Sequence, residues 1–419
     1  MRGFYYGWRI VAVAMVVYML VIGGTYSAYG LFVLPVSAEF GLSRADMNTG
    51  LIIFNLGTAT LAPFIGRALD KTPARRIMIA SALLMGLSFL ALGLSHSLWF
   101  SAAVLAVTLP AAALGAGTLT TPMLIARWFA AQRGRAMALA TIGMFTGGIA
   151  VTPLMGLAIE AYGWRTTLFL VGAVMTVILL GVSLVVRDRP GDDDIEAGGV
   201  QSAGQPGAVA RAPLQPPTKV GVLLRMPRLW LIGLSGAVAV AVGQTLLITL
   251  VPLARAAGLS ATQATSLFPV MGVAAIIGVG VMSLVADKVD RVLLMVLICL
   301  MGAGMNVALL VLVPTYGLLI VCAALMGLAN AGLTPVFNAL LADHFGANSF
   351  GTARGLAGPM GAVASMVAIR FGGEVYDRFG GYAVAFIAFF VVQLIAAGLI
   401  FAVRFSAPAR LSAAEATTG

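Results

Sequence analysis

Arg370 is the residue of this chain best placed to hold a charged ligand. It lies near one end of the apolar run 352–373. A charged side chain at the centre of a bilayer costs about 2.5–3.5 kcal/mol on insertion scales, so it normally faces a cavity or a partner. The planar guanidinium fork matches a carboxylate. Two other roles stay open: an ion pair with Glu374, four residues on, or reach of the long side chain to the outer interface. A second polar set is Asn330, Thr334 and Asn338, spaced by four on one helical face, with Pro335 as a bend point. Amides in an apolar span turn inward, either to a cavity or to a neighbouring helix. Tyr26 and Tyr29, with Thr25 and Ser27, offer a third set, with an outer aromatic belt as the alternative. Asn55 and Gln244 complete the candidate substrate-binding residues, with helix-to-helix hydrogen bonding as the alternative role.

Catalysis finds no such footing. His96 and His344 lack metal-ligand spacing with Cys, Asp or Glu. No Gly-x-x-x-x-Gly-Lys-Ser/Thr loop exists, and Gly272, Gly278 and Gly280 lie inside an apolar span as packing glycines. The expectation is a non-enzyme without metal or cofactor. Cys299 and Cys322 fall inside apolar spans and read as reduced packing residues.

The elements that position these side chains are apolar runs long enough to cross a bilayer, which takes about 20 residues. Twelve occur: 8–34, 47–69, 77–95, 98–126, 135–159, 165–187, 226–254, 263–285, 292–313, 315–342, 352–373 and 381–404. The chain is 60% hydrophobic and 10% charged, against roughly 25% charged in soluble domains. That composition implies an all-α polytopic membrane protein. Strand-period alternation is absent, which argues against a barrel. The net charge of +10 does not point to nucleic acid, because the basic residues sit in short loops between spans. The first run is too long for a cleaved signal peptide.

Segment 188–222 differs: it holds Asp192–Asp194, several Gly, and Pro206, Pro213, Pro216 and Pro217. It reads as a flexible cytoplasmic linker between an N-terminal bundle (1–187) and a C-terminal bundle (223–404), with a tail at 405–419. Arg2, Arg67, Lys71, Arg75, Arg76, Arg127, Arg133, Arg135, Arg187, Lys219, Arg225, Lys288, Arg291, Arg354 and Arg404 gather on one side of the spans. Arg44, Arg165, Arg255 and Arg378 face the other. The positive-inside rule places both termini in the cytoplasm, which in a bacterium means the inner membrane.

The two bundles repeat each other at one offset. Pro35 and Gly41-Leu42-Ser43 recur as Pro252 and Gly258-Leu259-Ser260. Asp70-Lys71 recurs as Asp287-Lys288, Gly134 as Gly351, and Tyr162-Gly163 as Phe379-Gly380. Ser27 and Gln244 are related by the same shift. Paired half-molecules of this kind build a central site between moving halves. The loop from Gly66 through Asp70 and Lys71 to Arg75 can act as a charge latch: Asp70 can accept from a helix N-terminus or pair with a basic side chain. Asp287-Lys288 and Arg291 repeat it.

The loop Gly66/Asp70/Lys71/Arg75 resembles the signature of the major facilitator superfamily, and the twelve spans with a long central loop agree with it along essentially the whole chain. The resemblance implies two six-helix bundles and alternating access of a central cavity. Tyr6-Gly7-Trp8, and Arg127-Trp128-Phe129 followed by Arg133, Arg135, Gly143 and Gly147, look like the monocarboxylate transporter and oxalate:formate antiporter branch. That branch implies a small organic anion as substrate. Its usual charges are missing: span one has no Lys, span eight no Asp/Arg pair, and span eleven no Lys. The expected partners are a small molecule and the bilayer, with protons or exchange open as the coupling, and the chain acting as a monomer. Efflux of a hydrophobic or zwitterionic compound is the alternative, and a non-transporting sensor a third.

Overall fold

The computed structural model describes residues 5–42, 44–191, 218–312 and 315–405. Most of the expected linker and all but the first residue of the expected tail lie outside these residues. Its short helix Val220–Arg225 is described. Among the described residues twelve helices cross from end to end. In the first half, α1 comprises Gly7–Ile22, a π-helical turn Gly23–Ser27, and Tyr29–Phe40. Helix α2 is Arg44–Lys71 and α3 is Ala74–Leu94. Helix α4 runs from Leu98–Ala103 to Thr120–Trp128 and holds two π turns, Val104–Thr108 and Leu114–Thr118. Helix α5 starts with Arg133–Thr146, passes a π turn Gly147–Val151 and ends at residue 162; α6 is 164–185. In the second half, α7 is Pro227–Ala256, α8 Ala261–Val285, α9 Arg291–Val311, α10 Tyr316–Phe345, α11 Phe350–Phe379 and α12 Ala383–Ala402.

The sequence repeat has a backbone cause. Gly41 and Gly258 end α1 and α7 with φ of 65° and 81°, and Gly163 and Gly380 break the chain after α5 and α11 with φ of 77° and 69°. Only glycine adopts these left-handed values without steric cost. Ser260 and Gln263 form a reciprocal capping box at the start of α8. The π turns break the repeat. Among the described residues all four lie in the first half.

Long apolar side chains stand exposed at helical spacing, including Leu83, Leu87 and Leu90 on α3, Val273, Ile276 and Ile277 on α8, and Val391 and Ile395 on α12. In water such a surface is untenable; in a bilayer it is the lipid face. Small residues bring helices into backbone contact inside. A Cβ on Gly143 would overlap the Met15 carbonyl of α1, as the Gly143/Gly147 spacing leads one to expect. Cysteines 299 and 322 are buried and free.

The chain thus forms an all-α, multi-pass membrane fold of two six-helix bundles. One apolar core joins both bundles at the end that carries the first residues and most of the basic loops, termed the basic end here. Toward the far end the second bundle has its own core.

Candidate functional site

At the basic end each bundle caps a helix of the other. Asp70, closing α2, accepts from the amides of Gly351 and Thr352 at 2.9 and 2.7 Å, the N-terminus of α11. Asp287, following α8, accepts from Gly134 and Arg135 at 2.6 and 2.9 Å, the N-terminus of α5. A carboxylate at a helix N-terminus meets both unpaired amides and the positive end of the dipole. A Cβ on Gly134 would come within 2.7 Å of Asp287 Oδ1, and one on Gly351 within 2.7 Å of Asp70 Oδ1. The recurring Gly therefore serves the recurring Asp. Beneath Asp70, Gly66 abuts the Gly351 carbonyl.

Ion pairs reinforce the second cap. Arg291 bonds Asp287 Oδ1 at 3.2 Å and also pairs with Asp343 on α10, whose other oxygen binds Arg133 of α5 at 2.6 Å. Sequence reasoning missed Asp343; its position beside His344 in a basic helix end was the available signal. Asp290 caps α9 through Val292 and Leu293 and pairs with Arg404 at 2.7 Å. Burial raises its carboxyl, but the Arg404 bond and the two amides outweigh this and hold it below the ordinary value. Lys71, Arg75 and Lys288 are exposed and join no ion pair among the described residues, whereas Arg135 stacks 5.3 Å over the Trp8 ring. The Tyr6-Gly7-Trp8 and Arg127-Trp128-Phe129 stretches touch one another: Tyr5 donates to the Trp128 carbonyl, and Trp8 lies 5.1 Å from Phe129.

Just inside this lock sits Arg354, one turn into α11. Its Nε donates to Asn338 Oδ1 at 2.9 Å, and its guanidinium lies 5.4 Å over the Phe337 ring, both on α10. It also interacts electrostatically with buried Tyr18 of α1. Arg354 is half-buried at the junction of the bundles and has no carboxylate partner among the described residues. Its nearness in sequence to the loop makes it read as a topology charge. The signal that finds it is Asn338, the last member of the polar stripe.

Beyond Arg354 the bundles part. On α2 the stripe of Ala62 and Gly66 is buried against α11, but its continuation through Asn55 and Ile52 is exposed. On α11 the stripe of Gly351 and Gly355 is buried, and its continuation at Met366 and Ile369 is exposed. A cleft open toward the far end follows.

The candidate residues fall in several separate places. Tyr26 donates to Asn55 at 3.3 Å and packs edge-on against Phe54. Gln244 is exposed. Arg370 is not drawn inside: its side chain is 85% exposed and lies 3.8 Å from Glu374, the local pair that the spacing allowed. Asn330 lines a small cavity of about 20 Å³ in the second bundle with Gly302 and Gln393. Tyr29 lines a cavity of about 530 Å³ in the first. At that cavity's outer rim Glu39 accepts from Trp164 and Arg165, and the Arg165 bond holds its carboxyl below the usual range.

A profile of the Major Facilitator Superfamily matches residues 14–315 and 281–418. The chain is 22% identical over 344 residues to the uncharacterized MFS-type transporter YhjX of Escherichia coli, covering 80% of each. It is 27% identical over 164 residues to YcxA of Bacillus subtilis, another uncharacterized MFS-type transporter, a stretch that spans 39% of this chain and 40% of that one. Its fold resembles that of the human organic anion transporter MFSD10, with a TM-score of 0.70 at 17% identity over 94% of this chain and 99% of the other. Two bundles, reciprocal acid caps and a cleft between them belong together: the chain is a multi-pass membrane transporter of the Major Facilitator Superfamily.

Proposed function

We propose that the protein is a secondary transporter that moves a small organic anion by alternating access, with the basic end cytoplasmic and the present state open outward. The observation that carries this is Arg354. A half-buried guanidinium with one neutral hydrogen-bond partner, Asn338, keeps donor capacity for a carboxylate. It stands at the closed floor of the cleft, where a ligand entering from the far end would stop. The touching Tyr6–Trp8 and Arg127–Phe129 stretches support the monocarboxylate-like branch, and MFSD10 offers a fold relative that carries organic anions. Exchange is the coupling favoured by the lack of a carboxylate beside Arg354 among the described residues.

Flux of monocarboxylates into proteoliposomes tests the reading. Saturable uptake that Arg354→Gln removes supports it; no uptake of any carboxylate, or uptake unchanged by Arg354→Gln, sinks it. Efflux of a hydrophobic compound is a second reading, favoured by the apolar cavity of the first bundle. Drug susceptibility of cells with and without the transporter separates the two.

A further inference from the structure

A cavity separate from the cleft lies inside the first bundle, toward the far end, among α1, α2, α3, α4 and α6, and measures about 530 Å³. Sites for small molecules run from about 300 to 1,000 Å³ with mostly apolar walls. Phe32, Phe40, Phe89, Leu105, Trp99 and Trp164 supply such walls. Five polar side chains of the wall are already engaged. Thr25 donates to the Val21 carbonyl at 2.5 Å, Ser101 to Ser95 at 2.8 Å, and Trp164 to Glu39 at 2.9 Å. Tyr29 bonds the Leu51 backbone, and Thr49 has a partner of its own. An occupant must therefore be apolar where it meets these walls, since a polar group would lose its hydration without return.

Two further observations bear on the same cavity. Gly24 and Thr25 belong to the π turn of α1, and Leu105 to the first π turn of α4. Single π turns inside α-helices concentrate at functional sites because they re-aim side chains at a local cost in helix geometry. The rim carries Trp99, 88% exposed, and Leu98, an apolar threshold continuous with the lipid face.

Helix α1 links this cavity to the anion site. Tyr18, within electrostatic range of Arg354, and Thr25, in the cavity wall, are seven residues apart. That is about 10 Å along the helix at 1.5 Å per residue, with the π turn Gly23–Ser27 aiming Thr25 into the wall. We infer that the cavity receives the apolar body of the transported anion, which makes the substrate an amphipathic carboxylate with an aliphatic or aromatic body of about this length. For its head group alone the inference rests on the anion reading above. It also joins the two functional readings: charge is recognised in the cleft and apolar bulk in the first bundle.

Binding to the purified full chain, measured by calorimetry, tests it with straight-chain carboxylates from hexanoate to decanoate and the matching neutral alkanols. Each buried methylene is worth about a fourfold gain in affinity. The expected result is a steep chain-length slope in both series. Ala102→Phe, which fills the cavity, flattens both slopes while sparing the shortest carboxylate. Leu105→Ala, a second variant that keeps the cavity open, weakens the longest chain several-fold and leaves the shortest unchanged. Arg354→Gln weakens every carboxylate alike and no alkanol. Flat slopes in the unmodified protein, or slopes that survive Ala102→Phe, overturn the inference. An alkanol slope removed by Ala102→Phe, with carboxylate binding indifferent to Arg354→Gln, keeps the cavity and defeats the anion reading. Absence of binding in both series overturns both.

Discussion

Arg354 and Arg370 lie on one helix, yet their surroundings assign them different work. Arg370 is conspicuous in sequence because apolar residues flank it, but its side chain is exposed and has Glu374 within reach. Arg354 is inconspicuous because it follows a loop by a few residues, but the fold turns it onto Asn338 and Phe337. Sequence periodicity identifies which residues share a face; it does not say which face closes on another bundle. That is why the Asn330/Asn338 stripe was legible and its partner was not. Arg354→Gln should reduce carboxylate flux at least tenfold, and Arg354→Lys should restore part of it, since a point charge replaces a fork. Arg370→Gln should change flux less than about twofold, as an exposed pair contributes little. Initial-rate uptake at matched protein density checks all three.

At the scale of elements, the acid caps follow from a rule that sequence alone suggested: a carboxylate after one helix can serve the N-terminus of another. Asp70 and Asp287 both do so, and each reaches across to the opposite bundle. The prolines and turn glycines were equally legible, because left-handed backbone singles out Gly. The four π turns were not, since no residue type encodes an i→i+5 bond and tertiary packing selects it. Gly351→Ala should destabilise the closed basic end, because its Cβ would press on Asp70 and the Gly66 carbonyl. Lower thermal stability, with readier labelling of a cysteine placed at Ala347, is the expected outcome. The α9 cap carries a pH signature. Asp290 titrates below its ordinary value, so its stabilisation is full above the unfolded carboxyl pKa of about 3.9 and is lost as pH falls through the lower folded value. Melting temperature should therefore fall further in the unmodified protein than in Asp290→Asn between about pH 5 and about pH 3.

For the whole molecule, composition and spacing led directly to twelve helices in two halves, since hydrophobic length is set by the bilayer. The state of the molecule was not legible in the same way. Closure at one end depends on helix pairs distant in sequence, such as Gly66 with Gly351, and on Asp343 bridging Arg133 and Arg291. On the alternating-access reading proposed above, both caps release before the basic end opens. Asp70→Asn with Asp287→Asn should shift the population toward opening there. Each cap is worth about 1 kcal/mol, so the pair should change the ratio of states by roughly tenfold or more. Distances between spin labels at the two ends, compared with the unmodified protein, measure that shift.

The reciprocal caps have a mechanical consequence. Asp70 binds on one flank of the junction and Asp287 on the other, so the shared core at the basic end carries a fastening on each flank. With either fastening cut, the remaining one becomes a pivot. Each single variant should then swing the bundles apart about a different flank, and the two swings should be mirror-related across the axis that relates the halves.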